Sequence, residues 1–247
     1  MKNEPLSADQ SVADPRFEGI APSAPSKLAV YGGSFNPVHN GHISVAQTVV
    51  QKGYAEEVLF VPAGIPPHKR GKEMADAGDR LGMLAAAIGP YDVFSLSDIE
   101  IRRSPEPSYT IDTLETLTRA FPGVDLYFLM GMDSLADLHN WYRAPILANR
   151  YRFLVYPRPG VQPPSFAGLA SRFGGRTARK LLNSIIEADL IPVSAKDIRS
   201  RLARGKPVCE LVPEPVLRYI REHQVYHQAR DNGQSGNRPE KEGNGFG

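Results

Sequence analysis

The sequence has little of three features that mark specialised protein classes: cysteine, long apolar runs and a strong charge of one sign. Cys209 is the only cysteine among the 247 residues, which excludes an intramolecular disulfide and a zinc site of the cysteine type. No segment approaches the roughly eighteen apolar residues of a membrane span, and the N-terminal stretch lacks the apolar core of a signal peptide. We therefore expect a cytoplasmic protein that neither crosses a membrane nor is secreted.

The charge balance is nearly even, with a formal net charge of +2 at pH 7. Proteins that bind nucleic acids broadly usually carry a concentrated basic face, whereas this chain has only a mild basic bias. We expect no nucleic-acid partner, and small anions are the favoured ligands.

Composition divides the chain into three parts. Residues 1–26 are rich in proline, serine, alanine and acidic residues, and residues 228–247 are polar and rich in glycine, so both are predicted to be disordered tails. Residues 27–227 are predicted to form one domain, since a chain with 41% hydrophobic residues can bury one sizeable core.

Within this domain, short apolar runs alternate with helical patterns, as expected for a parallel sheet with crossover helices. The predicted strands are residues 28–31, 57–61, 92–96, 125–130, 152–156 and 189–193. The predicted helices are residues 41–52, 79–88, 110–120, 134–148 with breaks, 176–187, 195–204 and 214–222. The fold class is therefore α/β, with a Rossmann-like, doubly wound parallel sheet and a small C-terminal helical region. In such sheets, ligands bind at the carboxyl ends of the strands.

The stretch YGGSFNPVHNGH, residues 31–42, follows the first predicted strand. Gly32 and Gly33 would let the main chain turn sharply and approach a ligand. Asn40 is placed to cap a helix whose N-terminus would attract an anion, and His39 and His42 would lie on one side of its first turn. A metal pair lacks a signalled third ligand, and two unrelated structural histidines are the ordinary alternative. Phosphate binding is the favoured interpretation.

This stretch resembles the HxGH signature of the nucleotidyltransferase superfamily, and its longer form GGSFNPVHNGH resembles bacterial nicotinate-nucleotide adenylyltransferases. HxGH alone is shared with phosphopantetheine adenylyltransferases and cytidylyltransferases. The resemblance spans about residues 28–226. It implies an enzyme of NAD biosynthesis that joins nicotinate mononucleotide and ATP to give nicotinate adenine dinucleotide and pyrophosphate. Mg²⁺ would arrive with ATP, and no metal site made by the protein alone is expected.

Three further stretches match the family on the side of the mononucleotide: PPHK, SYT, and GMDSL followed by WY. The resemblance implies that Trp141 stacks on the pyridine ring while backbone amides near Tyr142 receive its carboxylate. The ordinary alternatives are a solvated basic loop, a core helix and a buried aromatic anchor. The implied substrate-binding residues are Lys69, Tyr109, Thr110, Asp133, Trp141 and Tyr142.

The stretch VSAKDIR, residues 193–199, resembles the family's IS[SA]TxIR, in which Ser194 would be a helix N-cap. Lys196 replaces the threonine of that pattern; a lysine can neutralise phosphate but cannot accept a hydrogen bond. The resemblance implies catalytic roles for His39, His42 and Arg199. It implies that ATP is bound by Gly32, Gly33, Ser34, Phe35, His39, Gly41, His42, Gly131, Asp133, Ser194, Lys196 and Arg199.

The implied reaction needs no general base, because a phosphate monoester has a second pKa of roughly 6 and is already mostly dianionic near neutrality. The site must supply alignment and positive charge, and a bound triphosphate should favour protonated histidines. Two other functions stay open: adenylate transfer to another phosphate such as phosphopantetheine, and a nucleotide-binding regulator without catalysis. The oligomeric state also stays open, including a homo-oligomer.

Overall fold

A computed structural model describes residues 25–65, 74–188 and 192–226 of the chain. Its strands are β1 (Lys27–Gly33), β2 (Glu57–Pro62), β3 (Phe94–Leu96), β4 (Asp125–Gly131) and β5 (Arg152–Tyr156). They form one parallel sheet in the order β3-β2-β1-β4-β5. The strand order reverses between β1 and β4, which places the crevice of the sheet at the carboxyl ends of these two strands.

Helices cover both faces of the sheet. They are α1 (Asn40–Gln51), α2 (Ala77–Ile88), α3 (Ile99–Arg102), α4 (Thr110–Ala120), α5 (Met132–Asp137), α6 (Ala144–Arg150), α7 (Phe166–Phe173), α8 (Gly175–Leu182), α9 (Ala195–Ala203) and α10 (Glu214–Glu222). A 3-10 turn at Leu138–Asn140 joins α5 to α6. Among the described residues, no helix is long and apolar enough to span a membrane.

The two faces of the sheet bury two separate cores, and β1 shows how the sequence produces them. Ala29 and Tyr31 pack with α1, α2 and α10, whereas Leu28 and Val30 pack with α4, α5, α6 and α8. Successive side chains of a strand point to opposite faces, so a strand without polar alternation is covered on both sides. The predicted fold class is confirmed.

The structure differs from the predicted elements at several places. Helices α3 and α7 are absent from the prediction; α3 is a single turn, too short to show an apolar period. The predicted helix 176–187 ends at Leu182. Beyond it, the N–H of Val155 donates to Ser184 O at 2.8 Å, and the N–H of Ile186 donates to Val155 O at 2.9 Å, so this segment runs beside β5.

Some predictions fall partly outside the described residues. Of the predicted strand 189–193, residues 189–191 lie outside them, and Pro192 and Val193 belong to no strand. The predicted tails, residues 1–26 and 228–247, also lie outside the described residues, except for Pro25 and Ser26. Ser26 N–H donates to Glu56 Oε2 at 2.8 Å, immediately before β1 begins.

Candidate active site

The loop after β1 leads directly into α1, and His39 is the N-cap of this helix. The prediction that Asn40 caps the helix is wrong, because Asn40 is already its first residue. Its side-chain Nδ2 donates to Glu210 O at 2.9 Å, and its N–H donates to Leu211 O at 2.9 Å. Asn40 therefore joins the start of α1 to the loop before α10.

His39 and His42 stack on one another across the first turn of α1, with ring centroids 3.7 Å apart and an interplanar angle of 23°. The N–H of His39 donates to His42 Nδ1 at 3.2 Å. Since Nδ1 accepts, the neutral His42 ring carries its proton on Nε2. Two positive rings at this separation would repel each other, so the geometry opposes protonation of both histidines at once.

His39 is only 7% exposed, and its Nδ1 has no hydrogen-bond partner among the described residues. Burial lowers the pKa of His39 from 6.5 to about 4, and the positive charge of Arg158 acts in the same direction. The protein alone therefore keeps His39 neutral near pH 7. The protonation expected for a bound triphosphate would have to come from the negative charge of the phosphates.

Two cavities open beside the histidine pair, and both are lined by His39, His42, Arg158 and Ser194. Cavity A has a volume of about 380 Å³, lies between the pair and the loop after β5, and includes Gly41. Cavity B has a volume of about 620 Å³. The sequence-predicted residues that line cavity B are Ser34, Phe35, His39, His42, Ser194, Lys196 and Arg199.

Helix α9 brings its N-terminal turn to these cavities. Ser194 is its N-cap, as predicted, and its Oγ accepts from the N–H of Asp197 at 3.4 Å. Arg199 Nη1 donates to Asn36 O at 2.5 Å and so ties α9 to the loop after β1. Lys196 is exposed at the edge of cavity B.

The loop after β1 is also held from a second direction at Asn36. The Oη of Tyr226 donates to Asn36 Oδ1 at 2.6 Å, and the N–H of Ala75 donates to the same oxygen at 3.1 Å. Together with the Arg199 bond, these contacts hold the loop from three separate segments of the chain.

Arg158 is a charged residue of the site that the sequence analysis did not find. It follows β5 directly and forms an ion pair with Asp133, with Nη1 and Oδ2 3.2 Å apart. A Cβ on Gly131 would lie 2.5 Å from Asp133 Oδ1 and 2.9 Å from Arg158 Nε, so the glycine leaves room for the pair. Gly131 and Asp133, both predicted to bind ATP, line neither cavity A nor cavity B; Asp133 is linked to them by its ion pair with Arg158. The feature of the sequence that could have identified Arg158 is its position, as a charged residue just after the carboxyl end of a predicted strand.

A third cavity, cavity C, has a volume of about 190 Å³ and lies on the other side of the β1 end. Two aromatic pairs form part of its wall: the rings of Tyr109 and Tyr142 are 4.3 Å apart, and Trp141 meets Phe128 edge to face at 6.0 Å. Thr110 is the first residue of α4, as predicted, so the N-terminus of this helix lies at the cavity. The sequence-predicted residues that line cavity C are Gly32, Gly33, Ser34, Tyr109, Thr110, Trp141 and Tyr142.

The glycines at the end of β1 serve packing rather than a left-handed turn. A Cβ on Gly32 would lie 2.9 Å from the Phe128 ring, and one on Gly33 would lie 3.1 Å from the Phe35 ring. The positive φ of the loop, 42°, belongs to Phe35. The expected sharp turn therefore occurs two residues after Gly33, and both glycines line cavity C rather than cavities A and B.

Glu100 also lines cavity C, and the sequence analysis did not find it because α3 was not predicted. Glu100 is 7% exposed, and burial raises the pKa of its carboxyl group. Thr113 Oγ1 donates to Glu100 Oε1 at 2.7 Å. Lys69, the remaining predicted substrate residue, lies outside the described residues.

Residues 30–201 match the sequence model of the family described as cytidylyltransferase-like, so the fold and site define an α/β protein of this class. A protein named "probable nicotinate-nucleotide adenylyltransferase" from Synechococcus sp. is 38% identical over 202 residues, which cover 81% of this chain and 94% of that protein. Its namesake from Symbiobacterium thermophilum is 36% identical over 208 residues, covering 84% and 99%. The chain belongs to the nicotinate-nucleotide adenylyltransferase family, which confirms the resemblance seen in the sequence.

The fold is similar to that of a solved Plasmodium falciparum nicotinic acid mononucleotide adenylyltransferase complexed with NaAD. The TM-score is 0.67 at 18% sequence identity, with 81% of this chain and 97% of the other covered. The same enzyme complexed with APC gives a TM-score of 0.65. At this identity, the similarity supports the fold alone.

Proposed function

We propose that this chain transfers adenylate from ATP to nicotinate mononucleotide, giving nicotinate adenine dinucleotide and pyrophosphate. The observation that carries the proposal is the meeting of two unlike cavities: among the described residues, Ser34 alone lines both the polar cavity B and the aromatic cavity C. In the proposed reaction, the phosphate of the mononucleotide becomes linked to the adenylate, so it has to lie where the two cavities meet. The names of the curated relatives support the same reaction.

In the proposed reaction, an oxygen of the mononucleotide phosphate attacks the α-phosphorus of ATP. A new P–O bond forms, the bond from the α-phosphorus to the oxygen bridging the β-phosphorus breaks, and pyrophosphate leaves. The attacking phosphate, with a second pKa of roughly 6, is already mostly dianionic. The protein therefore has to align two phosphates and stabilise the charge that accumulates on the transferring and leaving groups.

Cavities A and B supply the groups for the ATP side. His42 offers an Nε2–H donor, Arg199 and Arg158 offer guanidinium groups, and Lys196 offers an ammonium at the cavity edge. Ser194 contributes the capped N-terminus of α9, a nine-residue helix with a favourable dipole end for phosphate. In this proposal, Asp133 acts by holding Arg158.

Cavity C supplies the mononucleotide side. Trp141 and the paired rings of Tyr109 and Tyr142 provide flat apolar contacts for a pyridine ring. The N-terminus of α4 at Thr110 provides partial positive charge toward the ring carboxylate. This side binds by shape and aromatic contact more than by charge.

Mg²⁺ enters the proposal as part of the ATP substrate. Across the described ranges, no group of three or more His, Cys, Asp or Glu side chains is placed to hold a metal ion. Mg²⁺ bound through phosphate oxygens keeps most of its water shell and needs few protein ligands, and Asp197 lines cavity A with a carboxylate of the suitable kind. Activity should therefore require Mg²⁺ and be lost with a chelator.

The single exposed cysteine, Cys209, suits the reducing cytoplasm in which we place the reaction.

The direct test is pyrophosphate release from ATP and Mg²⁺ with three acceptors side by side: nicotinate mononucleotide, nicotinamide mononucleotide and phosphopantetheine. The proposal expects the fastest release with nicotinate mononucleotide. Faster release with phosphopantetheine would overturn the acceptor assignment, and ATP binding without release under all three conditions would indicate a nucleotide-binding regulator.

A further inference from the structure

Arg80 is a buried cation on α2 that faces the loops of the site from inside the protein. Its side chain is 1% exposed. Within the described residues, the acceptors of its guanidinium are backbone carbonyls: Nη1 donates to Ala63 O at 2.7 Å and to Ser34 O at 3.1 Å, Nε to Ala75 O at 3.2 Å, and Nη2 to Gly64 O at a long 3.5 Å. These carbonyls belong to the loop after β1, the loop after β2 and the segment before α2.

No carboxylate in the described part of the chain forms an ion pair with Arg80 within 4.0 Å. Asp76 and Glu100 act on it only from a distance. Burying a charge is costly, and carbonyl dipoles offset only part of that cost. An arginine cannot lose its proton in a protein, so the positive charge persists. An anion bound nearby would complete the compensation.

Two of the four carbonyls that Arg80 bonds belong to residues that line the cavities. Ser34 lines both cavity B and cavity C, and Ala63 lines cavity C. A carbonyl oxygen carries partial negative charge and would repel an approaching phosphate. By drawing these oxygens toward itself, Arg80 removes that repulsion and fixes two separate loops in one relative position.

We infer that Arg80 is a positioning residue for the phosphate of the mononucleotide: its buried guanidinium orders the Ser34 and Ala63 loops and contributes positive charge behind the point where that phosphate binds. The inference rests on the proposed function, because it assigns the junction at Ser34 to the acceptor phosphate. It concerns a residue that touches no substrate and acts through the loops.

The test compares binding of nicotinate mononucleotide with binding of nicotinate riboside, which is the same molecule without its phosphate. Affinities are measured by calorimetry for the full chain and for two variants, Arg80→Met, which removes the charge, and Arg80→Lys, which keeps the charge but loses the planar fork. Met83→Ala is the control, because Met83 is fully buried on the same helix and lines none of the three cavities.

In Arg80→Met, the affinity for the mononucleotide should fall by about tenfold or more, while that for the riboside, which meets the Ser34 and Ala63 loops only at cavity C, should fall by a clearly smaller factor. Turnover should fall by about a hundredfold, since misplaced reacting groups lose rate steeply. In Arg80→Lys, the ratio of the mononucleotide affinity to the riboside affinity should fall by a smaller factor, about threefold or more. If Arg80→Met does not fold, Arg80→Lys alone decides the question. Met83→Ala should lose stability and keep the affinity ratio of the unaltered protein.

An unchanged affinity ratio in the Arg80 variants would overturn the inference, as would an equal loss of affinity for both ligands. Failure of the proposed function would look different, because the unaltered protein itself would neither bind nicotinate mononucleotide nor release pyrophosphate with it.

Discussion

Cavities A and B are lined by histidines, arginines, a lysine and a helix N-cap, whereas cavity C has no basic side chain among its described lining residues and combines four aromatic rings with small residues, hydroxyl groups and the buried Glu100. Cavity B is also larger, about 620 Å³ against about 190 Å³ for cavity C. The difference matches two recognition problems. A triphosphate needs mobile positive charge over a wide space, whereas a flat ring needs close apolar walls. Substitutions on the two sides should therefore affect the two substrates unequally.

The largest expected effect is on the charged side. His42→Ala should lower turnover by at least about a hundredfold, comparable to the loss of one preorganised donor to a developing charge. Steady-state kinetics with saturating substrates measures this loss. The matched control is His139→Ala, since His139 is exposed and lines none of the three cavities. Undiminished turnover in His42→Ala would remove this histidine from the mechanism.

The second effect concerns the cost of burying a histidine on the charged side. Because folding lowers the pKa of His39 from 6.5 to about 4, the folded protein binds fewer protons than the unfolded chain in this window. The free energy of unfolding is therefore undiminished by His39 above pH 6.5 and decreases as the pH falls toward 4. Between pH 7 and pH 5, the loss should be about 2 kcal/mol.

Denaturant unfolding of the unaltered protein and of His39→Asn at the two pH values measures this contribution. The variant should lose less stability on acidification, by about that amount. Parallel pH profiles for the two proteins would contradict the burial of a neutral imidazole at this position.

A third substitution breaks the aromatic side. Trp141→Ala should raise the KM for nicotinate mononucleotide by about tenfold, since an aromatic face and its buried area are lost, and should change the KM for ATP much less. Initial rates with each substrate varied in turn separate the two constants. Equal effects on both substrates would point to a general folding defect.

The smallest effect is expected at the edge of cavity B. Lys196→Ala should raise the KM for ATP by about threefold, because an exposed ammonium contributes little and is screened by salt. The difference from the unaltered protein should shrink as the ionic strength rises. Lys196→Thr, which introduces the hydroxyl of the family pattern, is the informative companion, and an unchanged KM in both variants would show that this position does not contact ATP.

The predictions from sequence succeeded where the signal was local. The start of α4 at Thr110 and the Ser194 cap follow from a few neighbouring residues. Asn40 is a residue type that commonly caps helices, but its side chain donates a hydrogen bond to Glu210 O, an acceptor 170 residues away. Local propensity contains no information about such a partner.

The residues that were missed share this dependence on distant segments. Arg158 is held by an ion pair with Asp133 in the first turn of α5, and Arg80 by carbonyls of loops that precede it by up to 46 residues. Glu100 lies on a single helical turn that has no periodic pattern. An arginine or glutamate in a helical pattern is ordinarily a solvated residue, so only the tertiary structure shows that the side chains of Arg80 and Glu100 are buried.

The hydrogen bond from Tyr226 to Asn36 joins points 190 residues apart. Fraying of α10 would pull this phenol away and loosen the loop that bears Ser34 and Phe35 while the central strands remain paired. Because the bonds from Arg199 and Ala75 to Asn36 would remain, fraying at this end of the chain should lower activity before the sheet melts without abolishing it.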